Sequence, residues 1–153
     1  MIGDSIHQAL DSFRSKRGLH ISKKSDCEYL IKYNDVRIKI ITDVSKELSA
    51  EFTLVDRQGN EILSYRVDPD TYDISDPDYS DLAQSVEEDI AALLEGIGNH
   101  EILISKRTDG RTSMIFPKKE GYALVKEGRW LVSSKTLKNL DNINAENFRP
   151  LLG

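Results

Sequence analysis

CEYLIKYNDVRIKII (27–41) decides the fold class. Cys27, Tyr29, Ile31 and Tyr33 alternate with Glu28 and Lys32, and Val36, Ile38 and Ile40 alternate with Arg37 and Lys39. A period of two puts the apolar set on one face of a half-buried strand. Asn34-Asp35 between the runs both tolerate positive φ, so the stretch predicts an antiparallel hairpin with a two-residue turn. Downstream, Phe52-Thr53-Leu54-Val55 and Ile62-Leu63-Ser64-Tyr65 flank the turn segment Asp56-Arg57-Gln58-Gly59-Asn60 and predict a second hairpin. Four antiparallel strands in sequence make a meander with one solvated face. Upstream, Ile6, Ala9, Leu10 and Phe13 recur at helical spacing, with Asp4 or Ser5 suited to cap the start. Lys16, Arg17 and Gly18 suit the end, so a helix is expected over 4–17.

Beyond the hairpins, Asp68-Pro69-Asp70 and Asp76-Pro77-Asp78 mark a loop, followed by a predicted helix over 79–97. Its apolar stripe is Leu82, Val86, Ile90, Leu93 and Ile97, with Gly96, Gly98 and Asn99 loosening its C-terminus. Asp81, Glu88 and Glu95, each seven residues apart, fall on the opposite side as an acidic ridge. A second meander is expected over 101–107, 111–116, 121–125 and 129–133. Its turns fall at Asp109-Gly110, Lys118 to Gly121 and Glu127-Gly128. The tail from Thr136 reads as short helical turns, capped by Asn144 and ended by Pro150. The whole is α+β: N-terminal helix, antiparallel four-strand meander, acidic loop and second helix, second antiparallel meander and short helical tail. No linker or repeat divides residues 1–153, so one domain is expected.

Charge is segregated along the chain. Val67 to Ser105 contains no Lys or Arg but 11 of the 26 acidic residues, whereas residues 106–153 carry 10 basic and 5 acidic side chains. Alternate turns of a meander lie at one end of the sheet. The first and third turns should therefore gather Lys106, Arg107, Arg111, Lys126 and Arg129, with Trp130 beside them, into a basic end. Nothing in the sequence reads as a membrane span or an export signal, and Cys27 is the single cysteine, so a reducing cytoplasm is the expected compartment.

No arrangement of residues has the spacing that catalysis or cofactor binding requires. Gly3-Asp4-Ser5 matches the nucleophile motif of GDS-type esterases, but no buried strand precedes it and no His follows His100. His7, His20 and His100 are not at ligand spacing with one another or with Cys27. A calcium loop starting at Asp76 would use Asp78, Ser80, Gln84 and Glu87, yet its sixth position, which needs Gly, is Asp81. Asp35 and Lys39 share a strand face without the paired carboxylates of a nuclease. No phosphate-binding Gly motif occurs, and no cofactor or metal is expected.

What remains is binding. The expected contact surface is the acidic face, Asp70, Asp73, Asp76, Asp78, Asp81, Glu88 and Glu95, met by a basic protein partner. Tyr72, Ile74 and Tyr79 interleave the acids as apolar anchors or, equally well, as residues that pin the loop to the core. The opening helix, Gly18-Leu19 and the strands from Cys27 to Ile41 resemble small acidic type III secretion chaperones over the first third of the chain. The acidic connector, basic second meander and lack of a substantial closing helix depart from that pattern. In size and acidity the chain is also similar to bacterial immunity proteins, which block a toxin by charge-complementary binding. Both resemblances imply a non-catalytic binding protein. The alternatives are nucleic-acid binding at the basic end, with Tyr122 and Phe116 as further aromatics, and an enzyme whose site is assembled from scattered residues.

Overall fold

A computed structural model describes residues 4–13, 20–43, 47–69, 75–141, 143 and 147–151. Within it the chain is α+β, with two helices and two antiparallel five-stranded sheets. Helix α1 covers Asp4–Phe13; the expected extension to 17 and the Gly18-Leu19 stop lie outside the described residues. The first sheet is a simple meander of β1 (His20–Ser25), β2 (Glu28–Tyr33), β3 (Val36–Asp43), β4 (Glu47–Val55) and β5 (Glu61–Val67).

The expected hairpins are present. Tyr33 pairs with Val36 across the turn, where Asn34 takes the positive φ of 47°. Asp56 organises the β4–β5 turn: its Oδ1 accepts from the Gln58 and Asn60 amides, each at 2.9 Å, and Gly59 adopts φ 84°. The sheet has five strands rather than the expected four because β1 joins the edge beside β2. In HISKKS the only apolar side chain is Ile21, so an exposed edge strand leaves little alternation to read.

Helix α2 (Tyr79–Gly98) lies between the two sheets and packs on α1, β4, β5 and β7. Being covered from several directions, it buries more than a single stripe. Ala83, Glu87, Ala91 and Leu94 are buried along with Val86, Ile90, Leu93 and Ile97, while Leu82 is half-exposed. Its end is not loosened but closed by a Schellman motif: His100 N–H bonds the Ile97 carbonyl at 3.3 Å, and Glu101 N–H bonds Gly96 at 2.8 Å. His100 carries the left-handed residue of that motif, with φ 60°.

The second sheet has the order β10-β6-β7-β8-β9, with β6 (Leu103–Lys106), β7 (Thr112–Pro117), β8 (Tyr122–Glu127), β9 (Val132–Leu137) and β10 (Arg149–Pro150). The expected helical tail is corrected at its end. Arg149 and Pro150 pair with Ile104 and Leu103, and Leu151 N–H bonds the Ile102 carbonyl at 2.8 Å. Pro150 lacks an N–H, which an edge strand tolerates. Asn144 lies outside the described residues.

Phe116 joins the two sheets. Its ring stacks on Tyr65 of β5 at 4.4 Å and meets Phe52 of β4 edge-on at 4.8 Å. One core cluster consequently runs through α1, α2 and both sheets. Immediately after Phe116, the Pro117 ring lies against Gly96 of α2, where a Cβ would collide with Pro117 Cγ. Gly96→Ala sets two effects in opposition. Alanine improves helix propensity by about 1 kcal/mol, but overpacking against a rigid ring costs about 1–3 kcal/mol. Because the pyrrolidine cannot rotate away, a net loss of up to about 2 kcal/mol is expected, read as a lower urea midpoint. An unchanged or raised midpoint would show that β7 yields at this contact.

Candidate functional site

The acidic face is built on α2 and the loop that enters it. Asp76 Oδ1 accepts the Asp78 amide at 2.8 Å, forming a turn that sets Asp78 at the helix N-cap position. Asp78 and Asp81 are exposed, Glu88 is half-buried and Glu95 is exposed, so the ridge read from spacing exists on the outer side of the helix. At 1.5 Å per residue, Asp81 and Glu95 stand about 21 Å apart along the axis. Asp70, Tyr72, Asp73 and Ile74 lie outside the described residues. Tyr79 is buried at 5% exposure and belongs to the core cluster, where it anchors the first turn of α2.

Two further acids, outside the expected contact face, do structural work on the same helix. Glu87 is buried, and its Oε1 accepts the Ser5 amide of α1 at 3.0 Å. This turns toward α1 the carboxylate that a calcium loop would need at its last position. Asp89 Oδ1 accepts the Lys119 amide at 3.0 Å, and its Oδ2 lies 3.9 Å from Lys118 Nζ. The β7–β8 turn thereby packs beside Glu88 and Asp89 around a polar recess of about 260 Å³. The chain's own lysines meet its acidic helix here, at the middle turn of the second meander.

The basic end lies at the other end of that meander, as turn parity requires. Arg107 Nη2 donates to the Glu127 carbonyl, and Glu127 Oε1 accepts the Thr112 amide at 2.9 Å, which ties the first turn to the third. Asp109 sits between Arg107 and Arg111, at 3.8 and 3.7 Å. Lys106, Lys126 and Arg129 are exposed. Trp130 does not turn into the core. It is 84% exposed, followed by Leu131 at 81% and Val132 at 41%, the large exposed hydrophobics among the described residues. The Arg129 guanidinium lies 5.3 Å from the Trp130 ring centroid, a cation–π contact. Phe116 is fully buried and Tyr122 half-buried.

A cleft of about 370 Å³ separates the β2–β3 and β4–β5 turns from β6 and β10. Val36, Leu54, Ile62 and Ile104 line it with charges of both signs, among them Asp35, Arg57 and Arg149. Among the described residues, no group of three or more His, Cys, Asp or Glu side chains could hold a metal ion. Among the same residues, no helix is long and apolar enough to cross a membrane. No family model matches the chain, nor does any curated protein or solved structure.

Asp89 also acts on the junction behind it. Burial, with the Asp89 charge adding to it, raises the Tyr65 phenol above its ordinary value. The unfolded chain therefore loses this proton first, at about pH 10. Tyr65 contributes stability that is complete below that pH and declines as the pH rises toward the folded value. Unfolding free energies between about pH 9 and 11 should fall more steeply in the wild type than in Tyr65→Phe. Parallel curves would remove Tyr65 as the cause of any alkaline loss.

Proposed function

We propose that the protein is a non-catalytic protein-binding module whose acidic face engages a basic protein partner. The observation that carries this reading is the row of carboxylates Asp78, Asp81, Glu88 and Glu95, running from the N-cap along the outer side of a helix whose other faces are packed against α1 and both sheets. A helix held this way needs no ordering of its backbone on binding, so the cost is confined to its side chains. Complementary charge mainly speeds and orients encounter, so apolar contacts must supply much of the affinity. Tyr79 is committed to the core; Leu82 and Ala92, half-exposed on α2, take that part.

Nucleic-acid binding at the basic end is the second reading, and the exposed Trp130 beside Arg129 favours it. Against it, the neighbours of Trp130 are the aliphatic Leu131 and Val132, and Phe116 is buried where no base can stack on it. The chain as a whole also carries a net charge of −5.

The test is capture from native lysate on immobilised wild type and on a variant combining Asp81→Lys, Glu88→Lys and Glu95→Lys, with circular dichroism confirming that both are folded. Wild type should retain a partner with a basic surface, and raised salt should weaken the complex. Charge reversal should slow association by about tenfold or more. A partner held equally by both proteins overturns the reading.

A further inference from the structure

At the end of the second sheet, away from the acidic helix, no strand among the described residues pairs with the outer edge of β9. This strand is the last in the order β10-β6-β7-β8-β9, and Val132 to Thr136 are exposed residue by residue. Gly128 N–H bonds the Leu131 carbonyl at 3.0 Å. In an antiparallel ladder hydrogen-bonded pairs alternate, so Ser133, Lys135 and Leu137 bond to β8, opposite Lys126, Leu124 and Tyr122. The amides and carbonyls of Val132, Ser134 and Thr136 then point away from the sheet. An unpaired edge of this kind is a template for another strand. Trp130 and Leu131 stand at its head as the most exposed hydrophobic side chains described. Trp, often with Arg, supplies the anchors of protein interfaces.

We propose that the β9 edge, headed by Trp130 and Leu131, receives an acidic extended segment of a partner protein by strand addition. This surface is separate from the acidic face and opposite to it in charge. Lys126, Arg129, Lys135 and Lys138 border the edge and are exposed. The acid among them, Glu127, already accepts the Thr112 amide. A second copy of this chain is the poorer occupant. Antiparallel self-pairing about Ser134 brings Lys135 of both copies into the same short ladder, and lysine on an edge opposes such pairing. A nucleic acid would leave the outward-facing amides and carbonyls of the edge without strand partners and would set Leu131 against phosphate.

The probe is the fluorescein-labelled peptide Glu-Val-Glu-Val-Glu-Val-Glu, compared with its Lys-Val counterpart and a single-stranded oligothymidylate, by anisotropy with the full chain. The acidic peptide should bind, the lysine peptide should not, and added salt should weaken the complex. Trp130→Ala should weaken it by about tenfold. Ser134→Pro removes an outward N–H while leaving the bonds to β8, and should abolish binding without lowering the melting temperature much. Amide exchange on the wild type gives an answer independent of the variants: bound peptide should slow exchange at Val132, Ser134 and Thr136 and change Ser133 and Lys135 little. Absence of binding, equal binding of the two peptides, or tighter binding of oligothymidylate overturns the proposal. So does self-association in sedimentation that Ser134→Pro removes, since the occupant would then be a second copy.

Discussion

The contact of Phe116 with Tyr65 and Phe52 is the constraint on which the arrangement of the molecule depends. Each sheet has an apolar face that must be covered, and α2 is the element both sheets share. Where sheet meets sheet beside the helix, three aromatic rings fill the joint in edge-on and stacked geometries. Such pairs contribute about 0.5–1.5 kcal/mol each beyond the area they bury. The absence of a side chain at Gly96 lets the strand end at Pro117 approach the helix. Pro117 costs no ladder bond there, because pairing with β6 ends at Leu103 and Ile115.

That joint also settles where the charges go. Docking β7 on α2 brings the Lys118–Lys119 turn against Asp89, so part of the acidic helix is neutralised from within. The first and third turns of the same meander then point the other way. The six residues of β8 separate the two ends by about 20 Å. This exceeds the screening length of about 8 Å at physiological ionic strength. A partner approaching the acidic ridge and one approaching Trp130 therefore meet nearly independent fields. Block segregation along the chain becomes two surfaces because a helix and a meander turn lie between them.

The positions of the helix acids and of the basic turns were legible in the sequence, whereas Tyr79, read as a possible anchor, is buried in the core. Asp81, Glu88 and Glu95 stand on one side of the helix because a spacing of seven nearly completes two turns, although the β7–β8 turn leaves Glu88 half-buried. The basic end followed from turn parity, and the contact of Arg107 with Glu127 realises it. The orientation of Trp130 was not legible. The strand expected over 129–133 would have carried it into alternation with core residues, but β9 begins at Val132 and leaves Trp130 in the turn. Glu87 and Asp89 were equally hidden, since one carboxylate among neighbours Glu87, Glu88 and Asp89 looks like the next until its partner is placed.

By itself the sequence determined what depends on neighbours along the chain. Alternation specified β2 and β3, turn residues marked out the second meander, helical spacing specified α1 and α2, and Asn34, Gly59, Gly110 and Gly121 supplied the positive φ of their turns. Tertiary structure decided what depends on distant residues. Ser5 meets Glu87 across 82 positions, His20–Ser25 becomes a strand only by pairing with β2, and Arg149–Pro150 becomes one only beside β6. Edge strands need little side-chain pattern of their own because backbone hydrogen bonds to an existing strand hold them. Two strands with almost no local signal thus completed the two sheets, and the packing of those sheets chose which charged and apolar side chains remained exposed.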